Sequence, residues 1–221
     1  AYIYTYDDAA NTWNQDKKIV ASEQAVGARF GESVAMSQDG KRVIVGAPMD
    51  NAYYDTKLDA GSAYIYTYDD SSWDTGKKIE LQYNSQGVYD RFAESVAMSA
   101  DGRKVIVGVI YADPFGGSGN DYVRITNAGS AYIFTYEGSA AGEWDVGSRI
   151  VASDMEANDY FGISVAMNSD GTKVIVGARS SNPGGISDAG SAYIYDYDAS
   201  ANNWYQVKKI VASVKAETDY F

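Results

Sequence analysis

Cysteine and histidine are both absent from the 221 residues of this chain. Disulfide bonds, thiolate and imidazole metal ligands, Ser-His-Asp triads and cysteine nucleophiles are therefore excluded. Basic residues are few, since 18 lysines and arginines face 30 aspartates and glutamates, which gives a net charge of −12. Phosphate backbones and anionic lipid headgroups repel so acidic a chain, and we expect neither nucleic acid nor membrane insertion.

Proline and long apolar runs are also scarce. The chain has three prolines, and no run approaches the roughly 18 apolar residues that a membrane-spanning helix requires. Aromatic residues, in contrast, are abundant, with 20 tyrosines and four tryptophans. Aromatic and β-branched side chains suit the pleated surface of a sheet, so the composition predicts an all-β fold.

An internal repeat of about sixty residues governs the whole chain. The sequence Ala-Tyr-Ile-Tyr begins at Ala1, Ala63 and Ala192, and a variant with a final phenylalanine begins at Ala131. Other aromatic residues recur in the same phase: Trp13, Trp73, Trp144 and Trp204, and Phe30, Phe92, Phe161 and Phe221.

Each repeat divides into four β-like runs, A to D. In the first complete repeat, run A is Ser33–Ser37, run B is Val43–Gly46, run C begins at Ala63 and run D begins at Trp73. Asp39-Gly40 lies between runs A and B, and Asp-Gly between two apolar runs predicts a tight hairpin. Four antiparallel strands per repeat predict the blades of a β-propeller.

The repeat boundaries predict one array with a partial blade at 1–29 and complete blades at 30–91, 92–160 and 161–220. About three and a half blades are therefore present. In run C the tyrosines share one face of the strand, and we expect them to pack between blades. The lysines of run D are expected at the outer edge of each blade, where they discourage aggregation.

Short motifs in each repeat resemble the FG-GAP repeat family, the blade type of the integrin α-subunit propeller. They are Phe30-Gly31, Gly46-Ala47-Pro48 and Gly61-Ser62-Ala63-Tyr64. The resemblance implies a seven-bladed ring used for protein recognition and adhesion at the cell surface or outside the cell. With fewer blades than seven, the chain is expected to be a fragment, half of a ring completed by a second copy, or a link in an open assembly.

The first run C, at Tyr2–Tyr6, has no runs A and B before it. Its inner edge would expose unpaired backbone, which native sheets avoid. We therefore expect an A–B hairpin from elsewhere to cover this edge.

Calcium is the one cofactor that the resemblance raises, because many FG-GAP blades hold it between runs A and B. Here that connection is only a short turn, too short to supply six to eight oxygen ligands. We interpret Asp39, Asp101 and Asp170 as turn formers and expect no cofactor. Any calcium site would use Asp50, Asp55 and Asp59 in the first B–C loop. The alternative interpretation is that these aspartates are solvated loop charges that bind no metal.

The B–C loops differ most between repeats, and in repeat proteins such loops often form the binding face. The candidate binding residues in them are Asp50, Tyr53, Tyr54, Asp55, Asp59, Asp113, Phe115, Asp121 and Asp188.

No asymmetric group of reactive residues points to catalysis, so we expect a non-catalytic binding or structural module with a protein partner or copies of itself. The alternative is a propeller that binds or cleaves carbohydrate with aspartate and glutamate alone.

Overall fold

A computed structural model describes residues 1–51, 58–81, 89–116, 123–138 and 143–221. Within these ranges the chain folds as strands and turns without an α-helix, and one short 3₁₀ turn spans Pro183–Gly185. No helix of the described ranges is long and apolar enough to cross a membrane. The all-β prediction is confirmed.

The strands follow the repeat in order, with a small extra hairpin, β9–β10, in the second B–C loop. Their bounds are β1 Tyr2–Asp7, β2 Thr12–Lys18, β3 Val34–Met36, β4 Arg42–Ala47, β5 Ser62–Thr67, β6 Lys77–Ile79, β7 Phe92–Met98, β8 Lys104–Val109, β9 Phe115–Gly116, β10 Val123–Arg124, β11 Ser130–Thr135, β12 Ser148–Ile150, β13 Phe161–Met167, β14 Lys173–Ala178, β15 Ser191–Asp198 and β16 Asn203–Ile210.

Three four-stranded antiparallel sheets form within the described residues, with the strand orders β3-β4-β5-β6, β7-β8-β11-β12 and β13-β14-β15-β16. Each order matches the predicted sequence of runs A, B, C and D. Strands β1 and β2 form a two-stranded sheet that corresponds to runs C and D of the partial repeat. The number of blades in a closed ring stays a prediction.

The A–B hairpins turn at the predicted Asp-Gly pairs. In the first hairpin Asp39 Oδ1 accepts hydrogen bonds from Ser37 Oγ at 2.6 Å and from the backbone N–H of Lys41 at 2.9 Å. These bonds favour the charged carboxylate and hold the pKa of Asp39 below its usual value. Gly40 follows with a φ of +71°, a conformation that glycine adopts without steric cost.

Successive sheets pack face to face, and each complete sheet has two chemically different faces. The near face, toward the preceding sheet, carries phenylalanine, valine and run C aromatic residues; the far face, toward the following sheet, carries isoleucine and alanine. Between the second and third complete sheets the far face contributes Ile106, Ala131, Ile133 and Ile150, and the near face contributes Phe161, Val174, Val176, Tyr193 and Tyr195. The preceding interface repeats this chemistry. The predicted packing of run C tyrosines between blades is confirmed.

Backbone bonds also join neighbouring sheets. The N–H of Phe92 donates to the carbonyl of Ala60 at 2.8 Å, and that of Phe161 donates to Ala128 at 2.9 Å. Ser95 Oγ adds a 2.7 Å bond to the carbonyl of Gly162. The first residues of β7 and β13 are thus fixed to the end of the preceding B–C loop.

The two-stranded sheet is less well covered than the others. Tyr2 and Tyr4 on its near face are 55% and 48% exposed, whereas the equivalent Tyr64 and Tyr66 are 0% and 2% exposed. Among the described residues no strand pairs with β1 on the side away from β2. The expected cover of this edge stays a prediction.

Run D departs from its predicted role at Lys78. This lysine is largely buried, and its Nζ lies 3.0 Å from Glu23 Oε2 and 3.4 Å from Asp50 Oδ2. Acidic side chains from the preceding D–A connection and from the B–C loop therefore hold Lys78 inside the repeat. The sequence shows the lysine at a strand position but not these distant partners.

Candidate functional site

Asp50, a predicted binding residue and calcium candidate, lies inside the protein. It is 3% exposed, and its Oδ2 accepts a 2.8 Å hydrogen bond from the hydroxyl of Tyr64. Burial and this carboxylate together raise the pKa of Tyr64 far above its usual value. With Lys78 on the same oxygen, Asp50 ties the B–C loop to strands β5 and β6.

Asp59 and Asp188 occupy equivalent turns at the ends of their B–C loops. Both have left-handed backbones, with φ of 47° and 52°, and Asn127 takes the same place in the middle repeat with 51°. The backbone N–H of Asp59 donates to Asn51 Oδ1 at 3.1 Å, that of Asn127 to Asp113 Oδ1 at 2.8 Å, and that of Asp188 to Asn182 Oδ1 at 2.8 Å. Each acceptor residue lies five positions after the run B glycine of its repeat. The predicted residues Asp59, Asp113 and Asp188 therefore shape the loops.

Phe115 is half exposed on the β9–β10 hairpin, where the guanidinium of Arg124 lies 5.4 Å from its ring centroid. Arg124 also lies near the carboxylate of Asp113, with 3.8 Å between Nη1 and Oδ2. The other predicted residues, Tyr53, Tyr54, Asp55 and Asp121, lie outside the described residues.

Calcium has no prepared site in the part of the chain that the structure describes, where no three acidic side chains come together in a group that could hold a metal ion. We therefore expect added calcium to leave the melting temperature unchanged. Asp50→Ala should lower the free energy of unfolding by about 2 kcal/mol, because buried Tyr64 loses its 2.8 Å acceptor and keeps only a 3.2 Å bond to the carbonyl of Glu23, while Lys78 loses one of its acidic partners.

Thermal unfolding with and without calcium, for the wild type and both variants, tests this role of Asp50. Glu23→Ala is the matched control, because it removes the exposed partner of the same lysine and should cost well under about 1 kcal/mol. Stabilisation by calcium that disappears in Asp50→Ala would show instead that Asp50 is a ligand.

A row of four side chains, with two tyrosines in the middle and an arginine at each end, crosses from one repeat to the next on the B–C loop side. The guanidinium of Arg91 lies 5.0 Å from the ring centroid of Tyr111, and that of Arg179 lies 5.6 Å from Tyr160. The two rings meet edge to face at 5.5 Å and an interplanar angle of 88°. We call Arg91, Tyr111, Tyr160 and Arg179 the Arg–Tyr row.

An open cavity of about 830 Å³ adjoins the Arg–Tyr row. Tyr160 and Arg179 form part of its lining, and predicted Asp188 lies in the same wall. Asn158 and Asn182 complete the polar side of the cavity; the Oδ1 of Asn158 accepts a 3.0 Å bond from Asn127. The cavity thus presents a cation, a carboxylate, amides and an aromatic ring together.

Glu94 adds a carboxylate at the start of β7, close to this cationic region. Burial raises the pKa of Glu94, while the positive charges of Arg91, Arg29 and Arg179 oppose that rise. Three of the chain's arginines therefore act on one half-buried carboxylate, although the chain as a whole is strongly acidic.

Sequence reasoning missed the Arg–Tyr row because its members come from four separate segments. Its signal was present, however, in the positions where the repeats disagree. The residue before the run A phenylalanine is Arg29, Arg91 or Tyr160, and Arg179 replaces the proline of the Gly-Ala-Pro motif. Positions where one repeat differs from the others therefore indicate this surface better than the aspartates of the B–C loops do.

The opposite side of the array carries one aspartate at each A–B turn. Asp39, Asp101 and Asp170 border a shallow concavity of about 640 Å³. The pKa of Asp101 and the pKa of Asp170 are both lowered, and for Asp170 the largest cause is a hydrogen bond from Thr172. Each carboxylate is engaged by its own turn, which agrees with the turn-forming role predicted for them.

Comparison with known families supports the repeat assignment. The FG-GAP repeat matches residues 13–66 and 144–195. The chain carries FG-GAP repeats. Each matched segment begins at the tryptophan of run D in one repeat and ends in run C of the next, so the family pattern extends from one sheet to its neighbour. No curated protein matches the sequence.

Solved structures similar to this FG-GAP array share propeller-like folds at low sequence identity. A putative 6-phosphogluconolactonase from Bacteroides fragilis is 14% identical with a TM-score of 0.51, over 89% of this chain and 42% of that one. Sqt1 from Saccharomyces cerevisiae is 10% identical with a TM-score of 0.49, over 85% of this chain and 37% of that one. Kuenenia stuttgartiensis hydrazine synthase is 12% identical with a TM-score of 0.49, over 96% and 43%. The chain thus spans less than half the length of these structures.

Proposed function

We propose that this FG-GAP array is a non-catalytic binding and structural module that recognises a protein partner through its B–C loop side. The observation that carries the proposal is the Arg–Tyr row beside the open polar cavity. Arginine and tyrosine are enriched at protein interfaces, where they combine apolar contact with directional polar groups. The surface fits a partner segment that carries carboxylates and exposed apolar side chains.

The composition of the cavity supports a role without catalysis. Asp188 is the one carboxylate among the described residues of its lining, whereas glycoside hydrolysis ordinarily uses two carboxyl groups. The neighbouring tyrosine, arginine and amide groups can hold a ligand through aromatic contact and hydrogen bonds. The cavity is therefore suited to recognition.

Carbohydrate binding is the second candidate, and the same cavity favours it. Tyr160 and Tyr220 both line the space, together with the amides of Asn158 and Asn182. Aromatic faces with nearby amide and carboxylate groups suit sugar rings and their hydroxyls.

Location and ring size belong to the same proposal. The FG-GAP resemblance favours an extracellular or cell-surface site of action, in adhesion or scaffolding, within a larger assembly. It also favours a closed ring of seven blades to which these sheets contribute.

Arrays of purified extracellular proteins and of glycans, probed with the biotinylated chain, test the proposal. The variant Tyr160→Ser/Arg179→Ser should lose binding to protein spots by about tenfold or more, because it removes two central contact groups. Tyr205→Ser/Lys208→Ser is the matched control, since it removes an exposed aromatic ring and a cation from β16. Signals on glycans alone that need Tyr160 would support carbohydrate binding instead.

A screen for hydrolysis of glycosides and lactones completes the test. We expect no turnover by the wild type. Turnover that a single carboxylate substitution abolishes would show that the module is an enzyme, and protein binding that both double variants retain would contradict the proposed surface.

A further inference from the structure

Asp159 lies in the D–A connection before the third complete sheet, between two residues of the cavity lining. Asn158 and Tyr160 flank it in sequence, and both line the cavity. Its carbonyl oxygen accepts a 3.4 Å bond from the N–H of Ser180, a lining residue of the B–C loop that directly follows Arg179. Asp159 therefore joins the two segments that carry Tyr160 and Arg179 of the Arg–Tyr row.

The carboxyl group of Asp159 is enclosed and incompletely hydrogen-bonded. The residue is 1% exposed, and its Oδ2 accepts a 2.7 Å bond from the N–H of Glu156. Its Oδ1 is buried without a hydrogen-bond partner among the described residues. Burial of an ionised carboxylate with an unsatisfied oxygen costs free energy, whereas the neutral acid loses much less solvation. The buried position of Asp159 therefore suits the protonated side chain.

Four titratable side chains act on this carboxyl group in the part of the chain that the structure describes. Asp154 and Glu156 lie in the same connection, Lys209 lies on β16 and Tyr193 lies on β15. Lys209 Nζ is 2.7 Å from Asp154 Oδ2, and Asp154 Oδ1 accepts a 3.0 Å bond from the Tyr193 hydroxyl. The nearby cation is therefore engaged by another carboxylate. Burial, with repulsion from the two neighbouring acids, raises the pKa of Asp159 to about 6.

We propose that Asp159 is a pH-sensitive switch for the Arg–Tyr row: its protonated side chain holds residues 154–160 in the closed conformation, and its ionised side chain favours an open conformation in which the carboxylate reaches water. Asn158 and Tyr160 adjoin Asp159, so they leave the cavity lining when these residues open. Acidic pH thus keeps the binding surface assembled, and neutral pH loosens it. The inference concerns the regulation of the cavity and rests on the proposed function only where binding is concerned.

The direction of the change follows from the two protonation equilibria. The pKa of Asp159 is about 6 in the closed conformation and returns to its ordinary value of 3.8 when the side chain reaches water. The contribution of Asp159 to the closed conformation is therefore complete below pH 3.8 and is lost as the pH rises through about 6. From pH 5 to pH 7.5 the equilibrium constant for opening should rise about tenfold.

Native-state hydrogen exchange measures this change at the amides of Asn158, Tyr160 and Ser180, whose N–H groups donate to backbone carbonyls. Their protection factors, which remove the intrinsic pH dependence of exchange, should fall about tenfold between pH 5 and pH 7.5. Dilute urea should leave these values nearly unchanged, because a local opening exposes little surface. Equal protection of these amides and of the β8 amides at every urea concentration would overturn the proposal, since only global unfolding would then release Asp159.

Asp159→Asn should abolish the pH dependence at these three amides, because asparagine can accept the same bond from Glu156 and does not titrate. Asp219→Asn is the matched control: Asp219 occupies the equivalent position and accepts a 2.7 Å bond from the N–H of Ala216, but it is exposed. This control should keep the wild-type pH dependence. A pH dependence that survives in Asp159→Asn would overturn the proposal, since another group would then control the opening.

Binding at the cavity supplies a separate measurement. On the protein arrays, signals that need Tyr160 and Arg179 should be severalfold weaker for the wild type than for Asp159→Asn at pH 7.5, and the ratio should approach 1 at pH 5. A ratio that does not change with pH would contradict the regulation of binding by Asp159. Absence of any such signal would contradict the proposed function alone, because hydrogen exchange tests the switch without a ligand.

Discussion

Replacing Gly129 with alanine should lower the free energy of unfolding by about 3 kcal/mol or more, one of the largest losses available from a single methyl group here. Gly129 has a φ of +82°, and a Cβ at this position would lie 2.1 Å from the carbonyl oxygen of Phe161. Phe161 is fully buried and contacts the rings of Tyr193 and Tyr195. The backbone cannot yield without opening the interface between two sheets.

The expected loss has two causes, the left-handed backbone of Gly129 and the steric contact with Phe161, and Gly184→Ala separates them. Gly184 has a similar φ of +72°, but nothing lies within 4 Å of its ideal Cβ position. This control should therefore cost only about 1 kcal/mol, the penalty of the left-handed conformation alone. Chemical denaturation of both variants measures the difference, and equal losses would show that the sheets do not approach as closely as described.

Asp159→Asn should have the opposite effect and stabilise the protein by about 2 to 3 kcal/mol at pH 8. Asp159 is 1% exposed, its Oδ2 accepts a 2.7 Å bond from the N–H of Glu156, and its Oδ1 has no partner. Burial raises the pKa of Asp159 to about 6, with Glu156 and Asp154 adding repulsion and Lys209 opposing them. Asparagine keeps the shape and removes the buried charge.

The pH dependence follows from the direction of this shift. Since the folded state binds the proton more tightly than the unfolded state, the contribution of Asp159 to stability is complete below its ordinary pKa of 3.8 and declines as the pH rises through about 6. Aspartates with lowered pKa values, such as Asp39 and Asp154, lose stability in the opposite direction, as the pH falls. The two effects therefore occupy different pH ranges.

Melting temperatures of the wild type and Asp159→Asn between pH 4 and pH 8 test the prediction, and the two curves should converge at the acidic end. Asp219→Asn is the matched control: Asp219 accepts the same 2.7 Å turn hydrogen bond from Ala216 but is exposed. A constant difference across the pH range, or destabilisation by Asp159→Asn at pH 8, would show that Asp159 is not a buried charge.

The features that sequence predicted well depend on short-range chemistry. Asp39-Gly40 formed its turn because both residues tolerate that backbone and the Asp side chain bonds within the turn. The run C tyrosines were recognisable as packing residues because a strand places alternate side chains on one face. The order of strands in each sheet followed directly from the order of runs in the repeat.

The roles of the loop acids depended on partners far away in sequence and could not be predicted in the same way. Asp50 resembled a surface ligand until Tyr64 and Lys78, on two other strands, were seen to share its carboxylate. Asp188 forms a turn and also borders the cavity, a combination that only the folded loop reveals. The raised pKa of Asp159 likewise arises from burial that no local pattern specifies.

The constant chemistry of the interfaces has a consequence for how such arrays change during evolution. The far faces of the first and second complete sheets both present isoleucine and alanine. The near faces of the second and third complete sheets, which meet them, both present phenylalanine, valine and aromatic rings. Loss of one whole unit by unequal recombination, such as 92–160, would therefore bring together surfaces that already fit. Length can vary by complete repeats in a single genetic event, whereas a deletion of half a repeat would place unlike surfaces against each other.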